Sequence, residues 1–291
     1  MRPGAWIGLA LLACAGCSAT YPTGTVIETV RDMCEREYGV AVDVTTDDKT
    51  VIASIPVEKL LQSDLSLSDR ALDKIEDVML TVSRVTLSSE FPYDFFVVDA
   101  RDAETGVRVR FIRYVKDIRR LLTDDISRSD YFQRMLIKVD YGGGTTEGGV
   151  TTGEFLAAQI AQRLHQHFQL NLVAARLFHL AGVDGTFVPV SSPAGKTVVS
   201  GVFRLTLITR PGAPPLAEAG NPDLREDLYQ LCFRTAQNLT RRYEFSLFDG
   251  LELVDMNGER LAEFPREEFT RDTVNTLMEL IRKLRPEKQS R

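Results

Sequence analysis

The sequence predicts an α+β protein built as two similar domains, and three observations carry that reading. Apolar residues recur at helical spacing in several separate stretches. Between those stretches lie paired runs rich in β-branched and aromatic residues, each pair split by turn-forming residues. Six glycines then fall within the twelve residues Gly142–Gly153, with no large apolar side chain among them, the composition of a flexible connector. Each half reads helix, hairpin, helix, hairpin, helix, which implies antiparallel sheets covered by helices. Domain 1 is expected over 18–141, the linker over 142–153, domain 2 over 154–285 and a tail over 286–291, with 1–17 set apart as a leader.

The elements are justified in turn. Val26, Ile27, Val30, Met33 and Cys34 form one stripe, so a helix is expected over 25–38. VAVDVTT and TVIASIPV flank the turn DDK, giving a hairpin over 40–56. Ser68 and Asp69 then open a helix whose Ala71, Leu72, Ile75, Val78, Met79 and Val82 share a face. FFVVDARDAETGVRVRFIRYV is strand, polar turn with Gly106, strand. A short helical piece and the strand-like MLIKVDY close the half.

After the glycines, Leu156, Ile160, Leu164 and Phe168 are spaced by four on a helix beginning near Gly153. TFVPV and TVVSGVFRLTLIT are strands around SSPAGK, and a Pro-rich loop leads to a helix over 222–242. LELVDMNGERLAEF contains Asn257-Gly258, the signature of a two-residue hairpin turn. A last helix, 267–284, carries Val274, Leu277, Met278, Ile281 and Leu284 on one stripe.

Hydrophobic residues make up 44% and charged residues 26% of the 291, the balance of a chain with a proper core. The net charge of −6 argues against routine binding to nucleic acid or to an anionic membrane face. The basic stretch 282–291 is read as a solvated terminus.

The first residues carry an address. Arg2 precedes the apolar run Ala5–Ala13, too short at nine residues to span a bilayer, which takes ~20. The run ends in LLACAGCSAT (11–20). This resembles the lipobox of bacterial lipoproteins, in which a Leu, a variable residue and a small residue precede the cysteine that becomes residue one. Leu11-Leu12-Ala13-Cys14 fits throughout, whereas Cys14-Ala15-Gly16-Cys17 fits only at its last two positions. Cys14 or Cys17 is therefore the expected lipidation site. The resemblance implies a cleaved signal peptide and a thioether-linked diacylglyceryl group, with a further chain such as palmitate on the freed amine. Stable anchoring needs more than one acyl chain. Neither Ala15 nor Ser18, the residues that would follow, is the Asp that retains lipoproteins in the inner membrane. The mature chain is thus expected at the outer membrane, facing the periplasm or the cell surface.

Export also permits disulfides. Cys34 and Cys232 are an even pair that can bridge the two halves, or pack singly as small hydrophobes, since both lie on apolar stripes. No constellation at catalytic or metal-binding spacing stands out, so no metal or cofactor is expected. His165 and His167 are two apart on a helix and face away from each other. Gly195-Lys196-Thr197 has Val190 where a phosphate loop needs Gly. Two acidic groups, Asp99, Asp102 and Glu104 and then Asp124, Asp125 and Asp130, lack the spacing of a calcium loop. They suit turns and helix caps, and would serve hydrolysis only if they meet in space. Leu67-Ser68-Asp69-Arg70-Ala71 approaches the Leu-Ser-x-x-Arg-Ala stretch of OmpA-like peptidoglycan binders, but is one residue short, a ~100° error for the arginine.

IEDVMLTVSRV, SSEFPYDFFVV, DISRSDYFQRMLIKV and GEFLAAQIAQRL resemble segments of a group of predicted bacterial lipoproteins without an assigned activity. The likeness agrees with an anchor and a chain of this length and transfers no functional residue. The expected function is that of a lipid-anchored envelope scaffold that binds a protein partner without catalysis. An envelope hydrolase acting on cell-wall or glycan material, and a binder of peptidoglycan or a small envelope ligand, are the alternatives.

Overall fold

A computed structural model describes residues 21–141, 148–170, 178–190, 200–216 and 221–270. Cys14 and Cys17, the first half of the glycine stretch (142–147), the SSPAGK turn and the expected final helix beyond Thr270 lie outside these residues. The fold is mixed α and β. The described residues hold seven α-helices, one five-stranded sheet and one four-stranded sheet. The chain divides into two compact units, Met1–Val150 and Thr151–Arg291.

The first unit runs α1 (Val26–Tyr38), β1 (Asp43–Asp47), β2 (Thr50–Val57), α2 (Asp69–Leu87), β3 (Phe95–Asp102), β4 (Arg108–Tyr114), α3 (Val115–Leu122), α4 (Arg128–Gln133) and β5 (Leu136–Asp140). α1 stops at Gly39, whose φ of 65° is open to glycine at little cost, and the Val40 N–H turns back to the Cys34 carbonyl at 3.1 Å. α2 starts where Ser68 Oγ accepts the Ala71 N–H at 3.3 Å. Val26, Val30, Ile75, Val78 and Val82 of the two helices share one core with Val51, Ala53 and Ile55 of β2, Phe96 and Val98 of β3, and Val109 and Phe111 of β4.

The strand order is β1-β2-β3-β4-β5. The sheet is not the antiparallel one expected, because β2 and β3 pair in parallel, Thr50 opposite Phe95 through Val57 opposite Asp102. A hairpin turn reverses direction, whereas α2 returns the chain to the end of the sheet where β2 began, so β3 must run alongside it. β5 pairs with β4, Arg108 opposite Asp140 through Ile112 opposite Leu136.

The second unit runs α5 (Thr152–Leu170), β6 (Leu180–Val190), β7 (Ser200–Thr209), α6 (Pro222–Arg242), β8 (Gly250–Val254), β9 (Arg260–Pro265) and α7 (Arg266–Thr270). A capping box opens α5. Thr151 Oγ1 accepts the Glu154 N–H at 3.2 Å, and the Glu154 carboxylate accepts the Thr151 N–H at 2.9 Å. Asn221 caps α6, with Pro222 in its first turn. The strand order is β6-β7-β8-β9, and β7 and β8 are again parallel, with α6 as the crossover.

Aromatic rings fill this unit. Phe233 lies 5.0 Å from Phe264 and 4.8 Å from Phe269, and Phe203 lies 5.2 Å from Phe187 and 5.3 Å from Phe248. Helix α5 sits so close to β6 that a Cβ on Gly185 would stand 2.2 Å from the Ala157 carbonyl oxygen.

One turn differs from expectation. Asn257-Gly258 does not close a two-residue hairpin. Five residues, Asp255 to Glu259, separate β8 from β9, and of these only Gly258 has a positive φ, 82°. A type I′ turn needs positive φ at both central positions. Here the Asp255 carboxylate accepts the Asn257 and Glu259 N–H groups at 2.9 and 2.7 Å and holds a wider loop.

Candidate functional site

The two acidic groups do not meet. Asp99 and Asp102 lie toward the end of β3, whereas Asp124, Asp125 and Asp130 follow α3, which starts beyond the far end of the β3–β4 pair. Each buried acid among them has partners of its own. Asp99 pairs with Arg108 on β4, Arg108 Nε donating to Asp99 Oδ1 at 3.3 Å and Nη2 closing on Oδ2. Asp102 accepts the N–H groups of Leu60, Glu104 and Thr105 at 2.8–2.9 Å. These backbone donors, Thr105 first, hold its carboxyl below the usual carboxylate range, so the turns gain stability from it at neutral pH and lose that gain as pH falls through its lowered pKa. Glu104, Asp124 and Asp125 are exposed.

Asp130 belongs to a second network. Arg134, buried just before β5, donates to Asp117 Oδ1 of α3 at 2.8 Å and to Asp130 Oδ2 of α4 at 2.9 Å. Beside it the Arg113 guanidinium stacks 4.6 Å from the centre of the Tyr131 ring. Burial raises the Tyr131 hydroxyl above its ordinary pKa. This network ties α3, α4 and the start of β5 together, a structural use of its charges.

Both sheets also carry charge on the face turned away from the core helices. In the first, Asp99, Arg110 and Lys138 stand in one row across β3, β4 and β5, and Arg101, Arg108 and Asp140 in the next. In the second, Glu252 of β8 is bridged by Arg204 of β7 and Arg260 of β9, each at 2.8 Å. Burial pushes the Glu252 carboxyl up, but the two guanidiniums outweigh it and the net shift is downward. These rows were not legible in the sequence, because they depend on register across strands.

His165 lies in a cleft of about 410 Å³ in the second unit, with Phe168, Gln169, Leu180, Gly182 and Arg210 around it. The Gln169 side-chain nitrogen is 2.7 Å from His165 Nε2. His167 is exposed beside Phe168, and His179 sits at φ 51° in the turn before β6, beyond the end of α5 at Leu170. Among the described residues no group of three His, Cys, Asp or Glu side chains could hold a metal ion. Ser68, the residue of the OmpA-like stretch, uses its hydroxyl to cap α2.

Cys34 and Cys232 are both free thiols and buried. Desolvation raises the Cys34 thiol and pushes Cys232 up to about 12. In the native chain, both are expected to resist alkylation at pH 8 and to react fully in denaturant. Peptide mapping after a timed iodoacetamide pulse checks this, and rapid native labelling of either would contradict it.

The least expected feature is the outer strand β5. Ile137, Val139 and Tyr141 are 50%, 43% and 63% exposed. Ile137 and Val139 lie on the face of the sheet that carries Phe111 and Val109, where the neighbouring strands are covered by α1 and α2, and Tyr141 directly follows the strand. Phe132 of α4 adds a further exposed ring. The other outer strands differ. β1 presents Asp43 and Asp47, β6 carries Asp184 and Pro189, and β9 carries Arg260, Glu263 and Pro265. Charge and proline of this kind discourage strand addition. Period-two alternation in MLIKVDY predicted the strand, but not that Ile137 and Val139 on its apolar face would stay about half exposed.

No helix among the described residues is long and apolar enough to cross a membrane. No known protein-family model matches this sequence, and a search of curated proteins returns no match.

Proposed function

We propose that the chain is a lipid-anchored protein of the bacterial cell envelope, held at the outer membrane through Cys14 or Cys17, that binds a protein partner without catalysing a reaction. The observation that carries the binding half is the β5 edge, an alternating apolar row left open at the side of an otherwise protected sheet. The pairing of the buried acids favours this over glycan hydrolysis, which needs two carboxyl groups facing one bond. The lipobox-like LLAC carries the anchoring half. The cleft at His165 favours a second reading, a small envelope ligand, since its volume lies in the range of small-molecule sites.

We infer further that the two units follow one plan, helix, hairpin, helix, hairpin, with helices over one face of a sheet. Support comes from the order of elements in each and from the parallel pair that each sheet contains at its crossover helix.

The two halves of the proposal separate in one experiment. The full-length chain, expressed in a Gram-negative host with a photo-crosslinking amino acid at position 139, is expected to yield a mature N-terminus with an acylated cysteine by mass spectrometry. It is also expected to give a discrete crosslinked protein adduct. An unmodified terminus beyond Cys17 would overturn the anchor, and absence of any protein adduct would overturn the docking site.

A further inference from the structure

We infer that the β5 edge is a homodimer contact, in which β5 of one copy pairs antiparallel with β5 of a second copy and Val139 lies on the two-fold axis. This rests on the reading of the β5 edge as a docking site and names its occupant. The argument is one of register. When two identical strands pair antiparallel about a two-fold axis, residues directly opposite must point to the same face of the joined sheet. Their numbers therefore sum to an even value, since successive side chains alternate between faces.

Three such alignments lie near the centre of β5. With Lys138 on the axis, Lys138 faces Lys138 of the second copy. With Asp140 on the axis, two carboxylates face each other. Only with Val139 on the axis does Lys138 of each copy stand opposite Asp140 of the other, while Ile137 stands opposite Tyr141 and Val139 opposite Val139. Like charges directly opposite are unfavourable, and opposite charges and apolar pairs are favourable.

Of these three registers only this one is self-complementary, and it sets the exposed Ile137 and Val139 beside apolar side chains of the second copy. Arg108, already opposite Asp140 across β4, does not compete, because a carboxylate has two oxygens and can accept from both sides. An isologous contact of this kind closes on itself, so it yields a dimer with one continuous sheet and does not propagate into a fibre.

The test uses the full-length chain in detergent. Sedimentation is expected to show a dimer at micromolar concentration. Lys138→Glu places acids opposite acids and is expected to weaken dimerisation at least about tenfold. The double variant Lys138→Glu/Asp140→Lys restores opposite pairing and is expected to restore the dimer. Val139→Cys is expected to form, on mild oxidation, an intermolecular disulfide that peptide mapping places at position 139. Circular dichroism reports that each variant is folded. A wild-type chain monomeric at about 100 µM, or a folded Val139→Cys dimer that does not crosslink through position 139, overturns the proposal. A monomer whose position 139 still captures a different protein in cells also overturns self-pairing, while leaving the edge as a docking site. A monomer that captures nothing ends both readings.

Discussion

Arg134→Ala is expected to destabilise the first unit by about 3 kcal/mol, within the range for breaking one side of a buried ion pair. The side chains of Arg134 and Asp117 are each only 3% exposed, and one guanidinium joins Asp117 to Asp130. Removing it takes away a strong charge-assisted partner from a carboxylate that stays in a medium of low polarity. Arg120 stands 3.9 Å from Asp117 and is 39% exposed, so it compensates weakly. Thermal unfolding of the full chain checks this, with a shift of roughly 10 °C expected for the transition of that unit. Arg120→Ala is the control and is expected to cost less than about 0.5 kcal/mol. Equal effects from the two would mean that Arg134 does not anchor the network. The double substitution Arg134→Met/Asp117→Leu is expected to recover most of the loss, because it removes the buried carboxylate along with its cation, and the Asp130 carboxylate that remains is 30% exposed.

Gly185→Ala carries the second large effect, about 3 kcal/mol in the second unit. A single methyl group there meets the Ala157 carbonyl oxygen at 2.2 Å, the Ala157 carbonyl carbon at 2.8 Å and the Ala161 methyl at 3.0 Å. The first two are helix backbone and cannot rotate aside, so α5 has to lift from β6, and overpacking of that kind costs ~1–3 kcal/mol or more. Gly106→Ala provides the contrast. Gly106 has φ 72°, and a methyl group added there would have nothing within 4 Å, so only the conformational cost of about 1 kcal/mol applies. Denaturant unfolding separates the two, and a Gly185→Ala loss no larger than that of Gly106→Ala would show that α5 can shift freely.

These sites differ in how far the sequence disclosed them. The spacing of Ala71, Ile75, Val78 and Val82 announced α2 and the face it buries, and the expected helix over 222–242 is found as Pro222–Arg242. Both rest on local chemistry, since a periodic stripe with a capping Ser68 or Asn221 needs no distant partner to be read. Gly185 stands just before the expected strand TFVPV and gave no signal of its own, because nothing in β6 records that Ala157 approaches from another element. Asp130 suited the bland reading of a helix-capping acid. Its partner Arg134 is four residues away, but Asp117, the buried member of the network, is on another helix.

The sequence by itself determined most of the described helices and strands and the mixed α and β class, since periodicity and capping act over a few residues. Tertiary structure decided what spans longer separations. It set β2 parallel to β3 and β7 parallel to β8, paired Asp99 with Arg108 and Glu252 with Arg204 and Arg260, and left Ile137, Val139 and Tyr141 uncovered at a sheet edge. The physical reason is that strand direction, ion-pair choice and edge exposure depend on which elements become neighbours. That is settled by burying the whole apolar surface at once, and no short stretch of residues contains it.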